Sequence, residues 1–136
     1  MTVRKCKDCP PDSKRPAPFG GPRCSTHNRA VVRARKAAAR ASRLEKTYGL
    51  RAGQYEAMYA AQGGVCALCL VATGKTKALA VDHDHKTGYV RGLLCGPCNK
   101  ILGHARDDTA FFNRAILYLL QPPAHEVIGK VKPDRE

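Results

Sequence analysis

A small α+β fold stapled by zinc is the architecture this sequence predicts: a strand, turn, strand and helix preceded by an N-terminal zinc knuckle and a basic helix. Three observations lead there. Two Cys-x-x-Cys pairs, Cys66/Cys69 and Cys95/Cys98, bracket 25 residues that read as a two-stranded excursion. A second set, Cys6-x-x-Cys9 followed after fourteen residues by Cys24-x-x-His27, has the same knuckle spacing. Between them lies a run of alanine and arginine with high helix propensity.

Residues 1–28 form the first module. Cys6, Cys9, Cys24 and His27 make one site of three sulfurs and one nitrogen, and the four downstream cysteines make the other, so all seven cysteines are used. The intervening Pro- and Gly-rich segment is loop, which a knuckle tolerates. Residues 29–50 carry the basic helix, Arg29 to Tyr48, with Gly49 placed to end it. Arg29, Arg33, Lys36, Arg40 and Arg43 recur at steps of four and three and form a cationic stripe. Ala30, Ala34, Ala37, Ala41, Leu44 and Tyr48 form a shallow apolar stripe beside it, suited to lying on the rest of the protein.

Residues 51–121 hold the third module. Leu50 to Gly64 reads as a short helix with Tyr55, Met58 and Tyr59 on one packing face, stopped by a glycine pair. Ala78 to His83 reads as a strand, Asp84 to Gly88 as a turn and Tyr89 to Leu94 as the returning strand. Pro97 sits where a first helical turn accepts it, so Cys98, Asn99, Ile101 and Leu102 begin a helix. Asp107 and Asp108 are cap residues for a further helix to about Leu120. Its apolar face, Phe111, Phe112, Ala115, Ile116, Leu119 and Leu120, is expected to cover the hairpin, and its width also admits pairing with a second copy as a homodimer. Residues 122–136 are a patternless tail.

Charge and cysteine usage narrow the function. The net charge is +13, and residues 1–50 hold 13 Lys and Arg against 3 Asp and Glu, while residues 51–136 hold 11 against 8. That asymmetry points to nucleic acid as the partner, with the N-terminal half supplying most of the attraction and Lys86 and Arg91 flanking the hairpin turn as further phosphate contacts. An odd cysteine count argues against a disulfide framework, and no apolar run approaches the ~20 residues of a membrane span or resembles a signal peptide. A reducing cytoplasm is the expected compartment, the host's if the gene is a phage's. With eight aromatic residues in 136, the core is thin, and structural zinc, worth on the order of 10 kcal/mol in small modules, outweighs any single packing contact.

The chemistry centres on AVDHDH and on Asn99, directly after the last cysteine. Four thiolates fill a structural zinc and leave no open position, so catalysis falls to Asp82, His83, His85 and Asn99. A carboxylate and an amide oxygen are hard ligands, suited to magnesium or manganese rather than to displacing sulfur from zinc. A neutral imidazole beside them can take a proton from an attacking water. The combination suggests phosphodiester hydrolysis.

The run LAVDHDHKTGYVRGLLCGPCNKILG, with QGGVCALC ahead of it, resembles the recombination endonuclease VII family of phage nucleases, within the ββα-metal (His-Me finger, HNH-related) group. The resemblance implies that Asp82 and Asn99 hold a divalent metal, that His83 is the general base, that His85 is an auxiliary catalytic residue, and that Cys66, Cys69, Cys95 and Cys98 bind zinc. It also implies a DNA endonuclease, either nicking or resolving branched DNA. The competing reading is a non-catalytic double-zinc DNA-binding protein, a regulator or packaging accessory, in which DHDH is an inert polar turn. A zinc scaffold for protein contacts is a third reading, and it predicts little affinity for DNA.

Overall fold

The computed structural model describes residues 4–17 and 21–132; the ends of the first module and of the tail, and three residues of the Pro/Gly loop, lie outside the described residues. Among the described residues five helices and two strands follow one another as α1 (Ser25–Tyr48), α2 (Gln54–Ala61), β1 (Ala80–His83), β2 (Val90–Leu94), α3 (Gly96–His104), α4 (Thr109–Leu120) and α5 (Ala124–Ile128). The chain divides into two compact units, Met1–Tyr55 and Glu56–Glu136, and α2 crosses the boundary.

In the first unit the chain folds back on itself before the helix. Lys5 and Pro16 form an antiparallel bridge, and Ala17 N–H donates to the Arg4 carbonyl at 2.9 Å. α1 then begins at Ser25, four residues earlier than the alanine pattern suggests. The reason is the knuckle itself: Cys24 is extended at the helix N-terminus, Asn28 N–H closes on its carbonyl at 2.8 Å, and His27 lies in the first turn. Gly49 ends the helix as expected, in the left-handed conformation at φ 68°, with its N–H on the Glu45 carbonyl.

The alanine stripe of α1 does not pack. Ala30, Ala34, Ala37 and Ala41 are exposed, and α1 contains no buried residue. Small side chains cover too little area to hold a helix down, at about 25 cal/mol per Å². Arg40, Leu44 and Tyr48 toward its end are half-buried, as are His27 and Val31 near its start, and the Arg40 guanidinium lies 4.0 Å from the ring centre of buried Tyr55.

In the second unit β1 and β2 pair antiparallel, with Ala80 opposite Leu94, Val81 opposite Leu93 and Asp82 opposite Gly92. The pairing then jumps, setting His83 opposite Val90, so Arg91 is the extra residue of a bulge. Asp84 builds the turn by accepting from the N–H groups of Lys86 and Thr87 at 2.7 and 2.8 Å, which holds its carboxyl below the usual range, Thr87 contributing most. The outer edge of β2 is covered by a side chain. Gln62 donates from Nε2 to the Leu93 and Val65 carbonyls at 2.9 and 3.0 Å and accepts from Leu93 N–H at 2.8 Å. It comes so near that a Cβ on Gly92 would meet Gln62 Oε1 at 3.1 Å.

The core of this unit is small: Leu79, Val81, Leu93 and Leu94 from the hairpin, Cys66 and Cys98 from the knuckles, and Ala105 after α3. α3 packs against β1. α4 departs from expectation. It starts as predicted, with Asp108 accepting from Ala110 N–H at 2.8 Å, but it buries no residue, and Phe111, Ile116, Leu119 and Leu120 stay exposed. The helix that packs on the hairpin is α3, through β1. The tail is not patternless throughout, since Ala124–Ile128 forms α5 after the Pro122-Pro123 pair.

Candidate metal and catalytic centre

Each predicted zinc set converges. The ligand atoms of Cys6, Cys9, Cys24 and His27 lie within 4.8 Å of one another, and so do those of Cys66, Cys69, Cys95 and Cys98. A tetrahedral zinc with Zn–S near 2.3 Å and Zn–N near 2.0 Å requires edges of about 3.8 Å between sulfurs and about 3.5 Å between sulfur and nitrogen. His27 Nδ1 lies 3.3, 3.4 and 3.4 Å from the sulfurs of Cys6, Cys9 and Cys24, and the Cys9–Cys24 and Cys69–Cys95 sulfurs are each 3.9 Å apart. The donor sets therefore fit zinc in chemistry and in spacing.

Electrostatics prepares these thiols to bind a cation. Burial pushes Cys66 up, but backbone groups of Cys69, Cys95 and Leu68 outweigh it and bring the thiol down to about 6. Cys6 is likewise brought down to about 6, burial being overcome by the Cys24 backbone and the His27 ring. Cys98 moves the other way, pushed up to about 12 by its hydrogen bond with Cys95 and by burial. Without metal, sulfurs this close share protons, and the last thiol cannot ionise beside the others.

The downstream knuckle also pins the DHDH strand to α3. Cys66 N–H donates to the Ala72 carbonyl at 2.8 Å and Ala67 N–H to the Leu93 carbonyl at 3.1 Å, tying the first pair to the hairpin. Cys95 caps α3, and Asn99 N–H closes on its carbonyl at 3.0 Å, so Asn99 occupies the first turn and is half-buried. Asp82 is buried at the end of β1, with His83 next to it. The rings of His83 and His85 meet edge to face with centres 5.0 Å apart.

Arg91 ties this corner together in a way the sequence did not reveal. Its Nε and an Nη donate to both oxygens of Asp82, at 2.7 and 3.0 Å, and an Nη also reaches Asp107 Oδ1 at 3.0 Å. The two carboxylates, Asp82 first, raise the Arg91 pKa further above its ordinary value. Asp107 in turn accepts from His85 Nδ1 through Oδ2 at 2.8 Å, and its carboxyl is held below the usual range by His85 first and Arg91 second. A cleft of about 430 Å³ opens beside this group, lined by His85, Lys86, Arg91, Arg106 and Asp107 among others. Alternating strand patterns give no sign of a bulge, and Asp107 next to Asp108 reads as a second cap; neither link was visible before the chain folded.

The donor chemistry at Asp82 and Asn99 suits a hard divalent ion. A carboxylate offers about four lone-pair sites, and Arg91 takes one on each Asp82 oxygen, leaving each with another. The arginine charge offsets that of Asp82, so such an ion would bind weakly until a phosphate adds negative charge. Of the predicted DNA contacts, Arg29, Arg33, Lys36 and Arg43 are exposed on α1, Lys86 is exposed on the hairpin turn, Arg40 is half-buried against Tyr55, and Arg91 is engaged with Asp82 and Asp107.

The chain belongs to the recombination endonuclease VII family, whose profile matches residues 41–121. That membership implies a DNA endonuclease, with DNA as its partner. The chain is also similar to the gene 59 protein of Mycobacterium phage L5, 51% identical over 131 residues that cover 93% of this chain and 80% of that one. The gene 59 protein of Mycobacterium phage D29 matches at 51% identity over 131 residues, 93% of this chain and 79% of that one. No solved structure matches the chain. Among the described residues no helix is long and apolar enough to cross a membrane.

Proposed function

We propose that the protein is a divalent-metal-dependent DNA endonuclease whose catalytic core is a ββα-metal (His-Me finger, HNH-related) arrangement of β1, β2 and α3. One observation carries this reading. The buried Asp82 and adjacent His83 end the strand against which α3 packs, and Asn99 sits in the first turn of that helix behind Cys95. The family match over residues 41–121 supports it. In this reading residues 1–28 are a zinc module, 29–50 a DNA-gripping helix, 51–121 the nuclease domain and 122–136 a tail, in a phage protein acting in the host cytoplasm.

Asp82 and Asn99 would hold magnesium or manganese through oxygen. When bound, that ion supplies Lewis-acid stabilisation of charge developing on the phosphate and on the leaving 3′ oxygen. His83, in its neutral form, takes a proton from the attacking water. Arg91 keeps Asp82 in one rotamer and brings positive charge beside the scissile phosphate. His85 is auxiliary, in contact with the His83 ring. The two zinc ions are structural. Products would carry 5′-phosphate and 3′-hydroxyl ends. Arg29, Arg33, Lys36 and Arg43 on α1, with Lys86 on the turn, grip backbone phosphates without reading bases.

The second reading, a zinc-bearing DNA binder without catalysis, draws on the bidentate pairing of Asp82 with Arg91. Magnesium separates the two. The test offers linear duplex, nicked plasmid and four-way junction side by side, with and without magnesium. Cleavage that needs magnesium and disappears in His83→Ala and Asn99→Ala, both still holding zinc, is expected. A gel shift without cutting under every condition favours the binder, and full cleavage by both variants overturns the mechanism. A symmetric cut at the junction would mark a homodimer.

A further inference from the structure

Asp107 does work that its place in the sequence does not suggest. Capping of α4 falls to Asp108, whose carboxylate accepts from Ala110 N–H at 2.8 Å, so Asp107 is free of that duty. Its side chain, 16% exposed, turns back toward the hairpin and accepts from His85 Nδ1 at 2.8 Å and from Arg91 at 3.0 Å. To do so the backbone runs through two consecutive left-handed residues, Arg106 at φ 53° and Asp107 at φ 56°. Such conformations are unfavourable for residues other than glycine, persist only where the surroundings impose them, and cluster at functional sites. The turn is also what brings Arg106 to the lining of the cleft, together with Lys86, Arg91 and His85.

We propose that Asp107 is a positioning residue: it fixes the His85 ring through Nδ1 and tethers Arg91, so that His85, Arg91, Lys86 and Arg106 together form a seat for a phosphate of the DNA backbone. An imidazole whose Nδ1–H is donated to a carboxylate has one tautomer, with Nε2 left for the cleft. The acidic group orients the ring and takes no part in bond making. This inference rests on the reading of the chain as a nuclease, but its geometric half can be examined without activity.

The experiment compares Asp107→Ala, Asp107→Asn and Asp108→Ala with the wild type in the full-length, zinc-loaded protein. The first measurement is the imidazole nitrogen spectrum of His85 at a pH where the ring is neutral, assigned with His85→Phe. Wild type is expected to show the Nδ1–H tautomer, and Asp107→Ala the Nε2–H form that free imidazole prefers. The second is single-turnover cleavage. Asp107→Ala is expected to lower the cleavage rate about 10- to 100-fold, with DNA affinity changed less than about three-fold because most phosphate contacts lie elsewhere. Asp107→Asn, which tolerates the left-handed backbone and keeps an acceptor oxygen, should recover part of the rate. Asp108→Ala, which removes a cap without touching His85, should cut at the wild-type rate. Unchanged His85 nitrogens in Asp107→Ala would overturn the proposal, as would a tautomer change with no loss of rate, or an equal loss in Asp108→Ala. A wild type that cuts no DNA would remove the nuclease reading, while the nitrogen spectrum would still decide whether Asp107 orients His85.

Discussion

Gln62 offers the sharpest test of how the hairpin is held. β2 has no strand on its outer side among the described residues, and there fully buried Leu93 meets the Gln62 carboxamide, which accepts from its N–H and donates to its carbonyl, a carbonyl that also accepts from Ala67 N–H at 3.1 Å. Gln62→Ala removes those two bonds and a third to the Val65 carbonyl. At ~1 kcal/mol net per bond, with ~1–3 kcal/mol for a buried group left unpaired, the loss is on the order of 3 kcal/mol. For a domain of this size that lowers the unfolding midpoint by roughly 10–20 °C. Gln62→Glu should be worse, since it presents a carboxylate to two carbonyls where an amide donated. Gly92→Ala should act on the same contact, because its Cβ would meet Gln62 Oε1 at 3.1 Å. The assay is thermal unfolding of zinc-loaded protein followed by circular dichroism, with zinc content measured before each scan. A midpoint within about 3 °C of wild type for Gln62→Ala, zinc retained, would refute the claim that this side chain substitutes for a strand.

The remaining expectations concern metal, DNA and the exposed helix. The chain should bind two zinc ions, and Cys66→Ser and Cys6→Ser should each lose one, counted by elemental analysis. Cys66 and Cys6 are held near 6, below the ordinary 9.0, so their thiolate contribution is complete above pH 9, persists in part at neutrality and is lost as pH falls through about 6. Zinc release to a colorimetric chelator should therefore increase on acidification, as protons compete with the ion for these thiolates. Since Cys98 stays protonated without metal, loading the downstream site at pH 7 should release protons, measurable by calorimetry in buffers of different ionisation enthalpy; none released would contradict the assignment. Replacing Arg33 and Lys36 by Gln should weaken binding to all duplex sequences alike and reduce the logarithmic salt slope by about 1 per residue. Leu119→Ala and Leu120→Ala should change stability by less than about 0.5 kcal/mol, because both side chains are more than two-thirds exposed; a larger loss would restore α4 to the core.

Much of this protein is legible because its signals are local. Cysteine spacing announced both knuckles, as pairs three residues apart can close on one ion wherever the chain goes. Gly49, Pro97 and Asp108 marked helix ends through conformations or hydrogen bonds made within a few residues. Hairpin limits were read to within two residues at each end, strand alternation being a local pattern too.

What the sequence by itself determined, then, is the order of elements as far as α4 and the two ligand sets. Tertiary structure alone decided that Arg91 bulges out to grip Asp82, that Asp107 rather than Asp108 faces His85, that Gln62 serves as a strand, and that α4 keeps its apolar face in solvent. The physical reason is common to all four. Each depends on which groups, distant in sequence, compete for the same unsatisfied hydrogen bond or patch of apolar area. That competition is settled only when the chain is closed and desolvation makes an unpaired polar group costly.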